Sequence, residues 1–364
     1  MKETRQHLFM VLTVLLVHLV ILTGTVMHFD AAAFPAVTPY SLLSGEWADA
    51  IETYLTQHLG FHDTLFRIKS RADLLVGEKM IQGVYITDDM LLEKRYSEEL
   101  PAPEALAAPP NDFYRMYGIP TFLLLIPSAS EIYEARLPAN AVSTEEQQRI
   151  REVYAATDTN VRCTDACHVL SSLRNDYIYY RTDTHWTSFG AFGVYQNMIQ
   201  RMGFTPVPYQ RYIISHLSTE FRGDLYARTL YGGVKPDMLD CYRYERGSSV
   251  TSVTAYYANG TVEDRGNNLY DTAAIHSGDM YRFYLGTPCD RLVIRTNVES
   301  GRKLLLFKDD FADCMVPFLL QHYSEICVVD LELTGSRWMT AADPADYTQA
   351  LFLCSMKSWE KLWA

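Results

Sequence analysis

The sequence predicts an α/β protein with a mostly parallel sheet, preceded by one apolar helix. Three observations carry that reading. A short, wholly apolar run stands at 122–127 (FLLLIP), further buried-strand patterns at 304–307 (LLLF) and 325–331 (EICVVDL), segments of helical periodicity lie among them, and residues 8–29 hold no Asp, Glu, Lys or Arg. Strands buried on both faces read as continuous apolar runs, and helices between them supply the crossovers that parallel pairing requires. The 364 residues suffice for one large domain or two ordinary ones.

In chain order, the apolar stretch 8–29 is long enough to cross a hydrocarbon layer of about 30 Å as a helix. His18 within it can stay neutral. Lys2 and Arg5 upstream outnumber Glu3, a bias that keeps the amino terminus cytoplasmic. The expected organisation is a cytoplasmic tail at 1–7, a signal anchor at 8–29, a linker at 30–45 and an extracytoplasmic domain at 46–364. Ala31, Ala32 and Ala33 leave cleavage open as the alternative.

Trp47, Ala50, Ile51, Tyr54, Leu55 and Leu59 recur at helical spacing; Leu65, Ile68, Ala72 and Leu75 mark a second helix ending near Gly77. Val84-Tyr85-Ile86 and Met90-Leu91-Leu92 flank a turn and read as a hairpin. Four prolines at 99–111 predict a loop. Ser143 with Glu146 forms a capping box for a helix to about Tyr154. A short strand is expected at 160–162 and a β-prone run at 177–180 (YIYY). Thr187 then caps a helix traced by Ala191, Tyr195, Met198, Ile199 and Met202. Residues 205–270 read as irregular and β-rich, with Asn259-Gly260 as a type I′ turn that also accounts for the Asn259-Gly260-Thr261 sequon.

Composition narrows the function. Lys plus Arg total 32 against 44 Asp plus Glu, a formal charge of −12, which argues against a general nucleic-acid binder. The 25 Tyr, 16 Phe and 5 Trp suit either a Tyr-rich core or a sugar-stacking surface. Seven cysteines show no metal-site spacing. Cys314, Cys327 and Cys354 lie in apolar runs as small core residues, and a Cys163–Cys167 bridge is conceivable.

Two segments carry candidate chemistry. Asp183-Thr184-His185-Trp186 follows the expected strand at 177–180 and precedes a helix, where α/β sheets place ligands. A carboxylate two residues from an imidazole can orient the ring as a general base; the bland alternative is a capping Asp and a half-buried His. Lys308-Asp309-Asp310 lies at the end of LLLF, the strand-to-helix turn that suits a nucleophile. Asp310 there is equally explained as a helix N-cap.

Together YYRTDTHWTSFGA (179–191) and LLLFKDDFADCMVPFLLQHYSEICVVDL (304–331) resemble the bacterial DHHW-motif family. GVYITDDMLLEK (83–94), FLLLIPSASEIYEARLP (122–138) and FRGDLYARTL (221–230) fit family-like blocks as well. The resemblance covers 46–364. It implies an SGNH-hydrolase-like three-layer sandwich behind an N-terminal membrane segment, similar to the alginate O-acetylation proteins. It also implies action on cell-envelope polysaccharide and a membrane-bound O-acyltransferase as partner; no cofactor or resident metal is expected. Carried onto this chain, Asp183 and His185 are the acid and base of a triad whose serine is expected at 310. Trp186, Lys308 and Asp309 are the accompanying binding residues. Two positions depart from the pattern: Thr184 stands for the first His of DHHW, and Asp310 stands for the serine.

A carboxylate cannot replace that serine, because acylating it gives a mixed anhydride and its charge disfavours an anionic tetrahedral state. Three readings follow. The scaffold has lost its serine chemistry and binds or presents glycan; or it remains an O-acyltransferase or esterase through another nucleophile, such as Ser128 or Ser188, or an activated water; or Asp183, His185 and Asp310, with Asp309, hold a divalent metal.

Overall fold

The computed structural model describes residues 2–27, 29–30, 34–37, 47–48, 50–51, 54, 61–95 and 100–142, and everything from 145 onward. It divides into two compact units: residues 1–78 with 229–231, and residues 79–228 with 232–364. The expected domain at 46–364 therefore falls across both.

In the first unit, the apolar run forms a helix, Lys2–Met27, and its stretch Phe9–Met27 is long and apolar enough to cross a membrane. The predicted second helix is His62–Leu75. Of the first amphipathic segment, residues 47, 48, 50, 51 and 54 are helical, while Leu55 and Leu59 lie outside the described residues.

The second unit is built on an eight-stranded sheet in the order β5-β4-β13-β11-β12-β10-β8-β9. Its parallel part consists of β5 (Val161–Cys163), β4 (Thr121–Ile126), β13 (Gln349–Ser355), β11 (Lys303–Lys308) and β12 (Glu325–Asp330). Three antiparallel strands extend it: β10 (Arg291–Thr296), β8 (Val250–Tyr256) and β9 (Val262–Asp264). A second sheet pairs β1 (Met80–Ile81), β2 (Val84–Ile86) and β3 (Leu91–Glu93), and a ribbon pairs β6 (Ile213–Phe221) with β7 (Asp237–Arg243).

Every residue of β4 and β12 is buried, and their central residues, 122–126 and 326–329, are accordingly apolar without a break. The two-residue period of a strand then divides their side chains between two cores. Phe122, Leu124, Leu304, Leu306 and Leu351 face one core, which includes Ala191, Tyr195 and Met198 of the helix Ser188–Arg201. Leu123, Leu125, Leu305, Phe307 and Phe352 face the other, against Leu106 and Phe113 of the helix Pro103–Tyr117 and against Trp359. This is the expected three-layer α/β arrangement. Thr187 caps Ser188–Arg201 as predicted, its side chain accepting from the Gly190 N–H. The Tyr-rich composition goes largely to the interior: Tyr179, Tyr180, Tyr195, Tyr284 and Tyr323 are all fully buried.

Several expectations need correction. The proline-rich loop at 99–111 is mostly helix. Pro103 occupies the first turn, where a missing N–H costs nothing, and Pro109 and Pro110 sit inside. Pro110 has no N–H to offer the Leu106 carbonyl, and the Trp359 indole donates to it instead at 3.0 Å. YIYY at 177–180 is not a sheet strand; its one ladder contact is an antiparallel bridge between Tyr179 and Trp186. The helix from Glu146 to Ala156 is present, whereas Ser143 of its capping box lies outside the described residues. The Asn259-Gly260 turn closes through Gly260 N–H to the Tyr257 carbonyl with only Gly260 at positive φ, so it is not type I′, which needs both residues there. All seven cysteines are free, Cys163 and Cys167 among them.

Candidate functional site

Asp183 and His185 belong to a tight loop closed by the Tyr179–Trp186 bridge, in which Tyr180 N–H donates to the His185 carbonyl at 3.1 Å. The buried Asp237 carboxylate of β7 holds the loop from below. It accepts from the N–H groups of Arg181 (2.7 Å) and Thr182 (2.8 Å), and from the hydroxyls of Thr182 and Tyr177 (both 2.5 Å). At the loop tip, Asp183 Oδ1 stands 2.5 Å from His185 Nδ1 and also accepts from the His185 N–H at 2.9 Å. Its other oxygen accepts from the Asp224 N–H at 3.1 Å, and Asp224 in turn accepts from the Thr184 N–H at 3.0 Å. Gly223 is required here, since a Cβ at that position would overlap the Asp183 carboxylate.

The second half of the site is the turn after β11. Asp309, not Asp310, is the cap: its side chain accepts from the Phe311 N–H at 3.2 Å, and its other oxygen accepts from Ser355 N–H (2.8 Å) and Oγ–H (2.6 Å). The N-cap explanation therefore belongs to the neighbour, and Asp310 is left to face the imidazole. Asp310 Oδ1 lies 3.2 Å from His185 Nε2. That nitrogen is buried, and at this distance the two groups form an ion pair. Asp310 is the more open partner, its side chain 55% exposed against 11% for His185.

Charge follows from this geometry. Burial works against a charged imidazole, but the Asp310 and Asp183 carboxylates outweigh it and hold His185 protonated well above its ordinary range. Asp310 and Asp183 are held below the usual carboxylate range against the opposing effect of burial, each chiefly by the His185 charge. Nearby carboxyls move the other way. Asp309 is pushed up to about 7 by burial and by Asp310, and Asp224 to about 6 by burial and by Asp183. The Tyr281 ring stacks on His185 at 3.9 Å between centroids, and Phe311 closes its other flank at 4.8 Å.

Two cavities meet at this cluster. The larger, of about 500 Å³, is lined by His185, Asp310, Arg222, Asp224, Tyr281 and Lys308 among others. The smaller, of about 280 Å³, shares His185, Asp224 and Asp310 and extends to Ser128, Ser355 and Lys357.

Of the residues singled out from sequence, Asp183, His185 and Asp310 are brought together. Lys308 lies beside them in the larger cavity, bridging Asp313 at 2.8 Å and Asp330 at 3.0 Å. Two expected binding residues have other work. Trp186 is fully buried, and its indole N–H donates to the Phe311 carbonyl at 2.7 Å, tying the two halves of the site together. Asp309 is fully buried as cap and staple. Ser188 is committed to Tyr284 OH at 2.7 Å, and Ser128 caps a short helix through Glu131 N–H. Asp183 and Asp310 lie at opposite nitrogens of the ring, so the three groups cannot converge on one ion. Among the described residues, no group of three or more His, Cys, Asp or Glu is arranged to hold a metal. Asp224, Asp237, Gly223 and Tyr281 were not foreseen; the Gly-Asp pair inside FRGDLYARTL was the one available signal.

An Asp-x-His-Trp block joined in space to a Lys-Asp-x turn is the pairing that the sequence resemblance rested on, and a family model described as DHHW protein matches residues 111–329. The chain belongs to the DHHW protein family. Its fold is shared with a solved DHHW family protein from Eubacterium siraeum, at 21% identity and TM-score 0.63 over 77% of this chain and 93% of that one. Bacillus cereus PatB1, solved with a sulfonyl adduct, aligns at 19% identity and TM-score 0.63 over 77% of this chain and 96% of its own. The O-acetyltransferase domain of Pseudomonas putida AlgJ gives 15% identity and TM-score 0.46 over 77% and 92%. No curated protein matches the chain. In this DHHW protein, Asp183, His185, Trp186 and Asp310 all lie within the matched residues, and Thr184 contributes its backbone N–H to Asp224.

Proposed function

We propose that this DHHW protein is anchored in the cell membrane by its apolar helix and binds cell-envelope polysaccharide outside the cytoplasm. It takes part in O-acetylation beside a membrane-bound O-acyltransferase, without performing serine acyl transfer itself. One observation carries the catalytic half of this reading: Asp310, at the position where the sequence resemblance leads one to expect serine, faces His185 as a carboxylate 3.2 Å away. A ring held protonated between two carboxylates has no lone pair with which to take a hydroxyl proton, so it cannot serve as a general base. Family membership and the helix Phe9–Met27 support the location and the polysaccharide.

The test is acetyl-ester turnover by the full-length protein in detergent, alone and with a polysaccharide acceptor. The unmodified protein is expected to be inert, and Asp310→Ser to gain measurable turnover that His185→Ala removes again. Robust turnover by the unmodified protein, abolished by His185→Ala, overturns the reading.

A further inference from the structure

We propose that Asp310 is a nucleophile toward saturated carbon. Its carboxylate opens an epoxide-like electrophile to form an aspartyl ester, which water activated by His185 then hydrolyses. This goes beyond glycan binding: the exchange of serine for aspartate removes acyl chemistry and leaves a site built for alkyl chemistry.

The placement is that of a nucleophile. Asp310 lies on the turn after β11, its side chain is 55% exposed, and it borders both cavities. Because Asp309 takes the capping role, the Asp310 carboxylate is not consumed by the helix end. Attack by a carboxylate on an acyl carbon gives only a mixed anhydride. Attack on a saturated carbon gives an ordinary ester, stable enough to form and labile enough to hydrolyse. The larger cavity offers room for a small alkyl or aryl group against Phe221, Leu285, Leu292 and Val328.

The atoms balance through His185. In the first step an Asp310 oxygen bonds to the epoxide carbon while that carbon's ring C–O bond breaks. The released oxygen takes the Nε2 proton of His185, whose ring lines both cavities together with Asp310. Ester formation also removes the negative charge that stood 3.2 Å from Nε2. The ring, now neutral and oriented through Nδ1 by Asp183, is a base for the second step. It takes a proton from water, and the hydroxide adds to Cγ of Asp310. The Cγ–O bond to the alkyl group breaks, and the departing alkoxide takes the proton of the new carboxyl. The products are a vicinal diol, the Asp310 carboxylate and protonated His185; the only co-reactant is water. The same histidine is acid while Asp310 is charged and base once it is esterified.

The experiment uses full-length protein in detergent with phenyl glycidyl ether as probe. His185→Gln is expected to accumulate one probe mass on the peptide bearing Asp310, and Asp310→Asn to lose that label completely. The unmodified protein, given one turnover in oxygen-18 water, is expected to carry one oxygen-18 in the Asp310 carboxylate and to release diol. An adduct on any other residue overturns the proposal, and so does absence of oxygen-18 from Asp310 in the unmodified protein, which requires no variant to fold. These readouts need no glycan, so their failure leaves the polysaccharide reading standing, and failure of glycan binding leaves them intact.

Discussion

His185 Nε2 faces Asp310 Oδ1 at 3.2 Å while Nδ1 faces Asp183 Oδ1 at 2.5 Å, so both nitrogens of one buried ring look onto carboxylates. The consequences for protonation, stability and assembly can be measured.

Asp310→Asn should lower the His185 pKa, read from its imidazole resonances across a pH titration. The wild-type pKa is raised on folding, so this contribution to stability is complete below the free value of about 6.5 and is lost as pH rises through the higher folded value. Asp310, depressed on folding, contributes above its free value of about 3.9, and that share is lost as pH falls through the lower folded value. The variant should therefore lose stability across neutral pH, by about 1 kcal/mol once solvent screening on the open side of Asp310 is allowed for. An unchanged imidazole titration would show that the two groups are not coupled.

Lys308→Met strands two buried carboxylates, Asp313 and Asp330, beside the cavity. Losing one partner of a buried ion pair typically costs about 3–5 kcal/mol. Burial already raises Asp313 to about 6, so the stranded carboxyl protonates readily in mild acid. Denaturant melts should show the deficit of the variant shrinking from pH 8 towards pH 5, rather than staying constant.

Gly223→Ala sets a methyl group against the Asp183 carboxylate. Relief requires the loop to shift, at about 1–3 kcal/mol by analogy with overpacked cores. Because the displaced group is the one that orients His185, the imidazole resonances should move along with the melting temperature. A variant that melts and titrates like wild type would show that the loop yields freely.

Asp237→Ala removes the acceptor for two backbone N–H groups and two hydroxyls at once. Leaving buried donors unpaired costs about 1–3 kcal/mol each, so a loss of at least about 3 kcal/mol is expected in equilibrium unfolding. Asp237→Asn, which keeps acceptor capacity on one oxygen, should recover part of it.

Much of this was legible in the sequence, for physical reasons that differ from element to element. β4, β11 and β12 are buried on both faces and announce themselves as apolar runs. β10 carries Arg at both its start and its fifth position and so does not stand out by pattern, whereas β13 holds an apolar run at 350–354 as long as that of β4, a signal that was there to be read. The helix Pro103–Tyr117 was hidden by prolines whose missing donor is replaced by Trp359, a residue far along the chain that no local rule can supply. Asp183, His185 and Asp310 were found because their motifs are contiguous. Asp224, 41 residues beyond Asp183, and Asp237, 55 beyond Thr182, hold the loop that carries Asp183 and His185, and both come from the irregular region between clear elements.

The indole of Trp186 reaches a carbonyl 125 residues away, and β13 joins β4 to β11 across a still longer stretch of chain. Contacts of such separation form only after large loops have closed, so the acidic–basic cluster cannot exist in a partly folded chain. The ionisation of one histidine thus doubles as a gauge of whether the whole second unit has reached its native state.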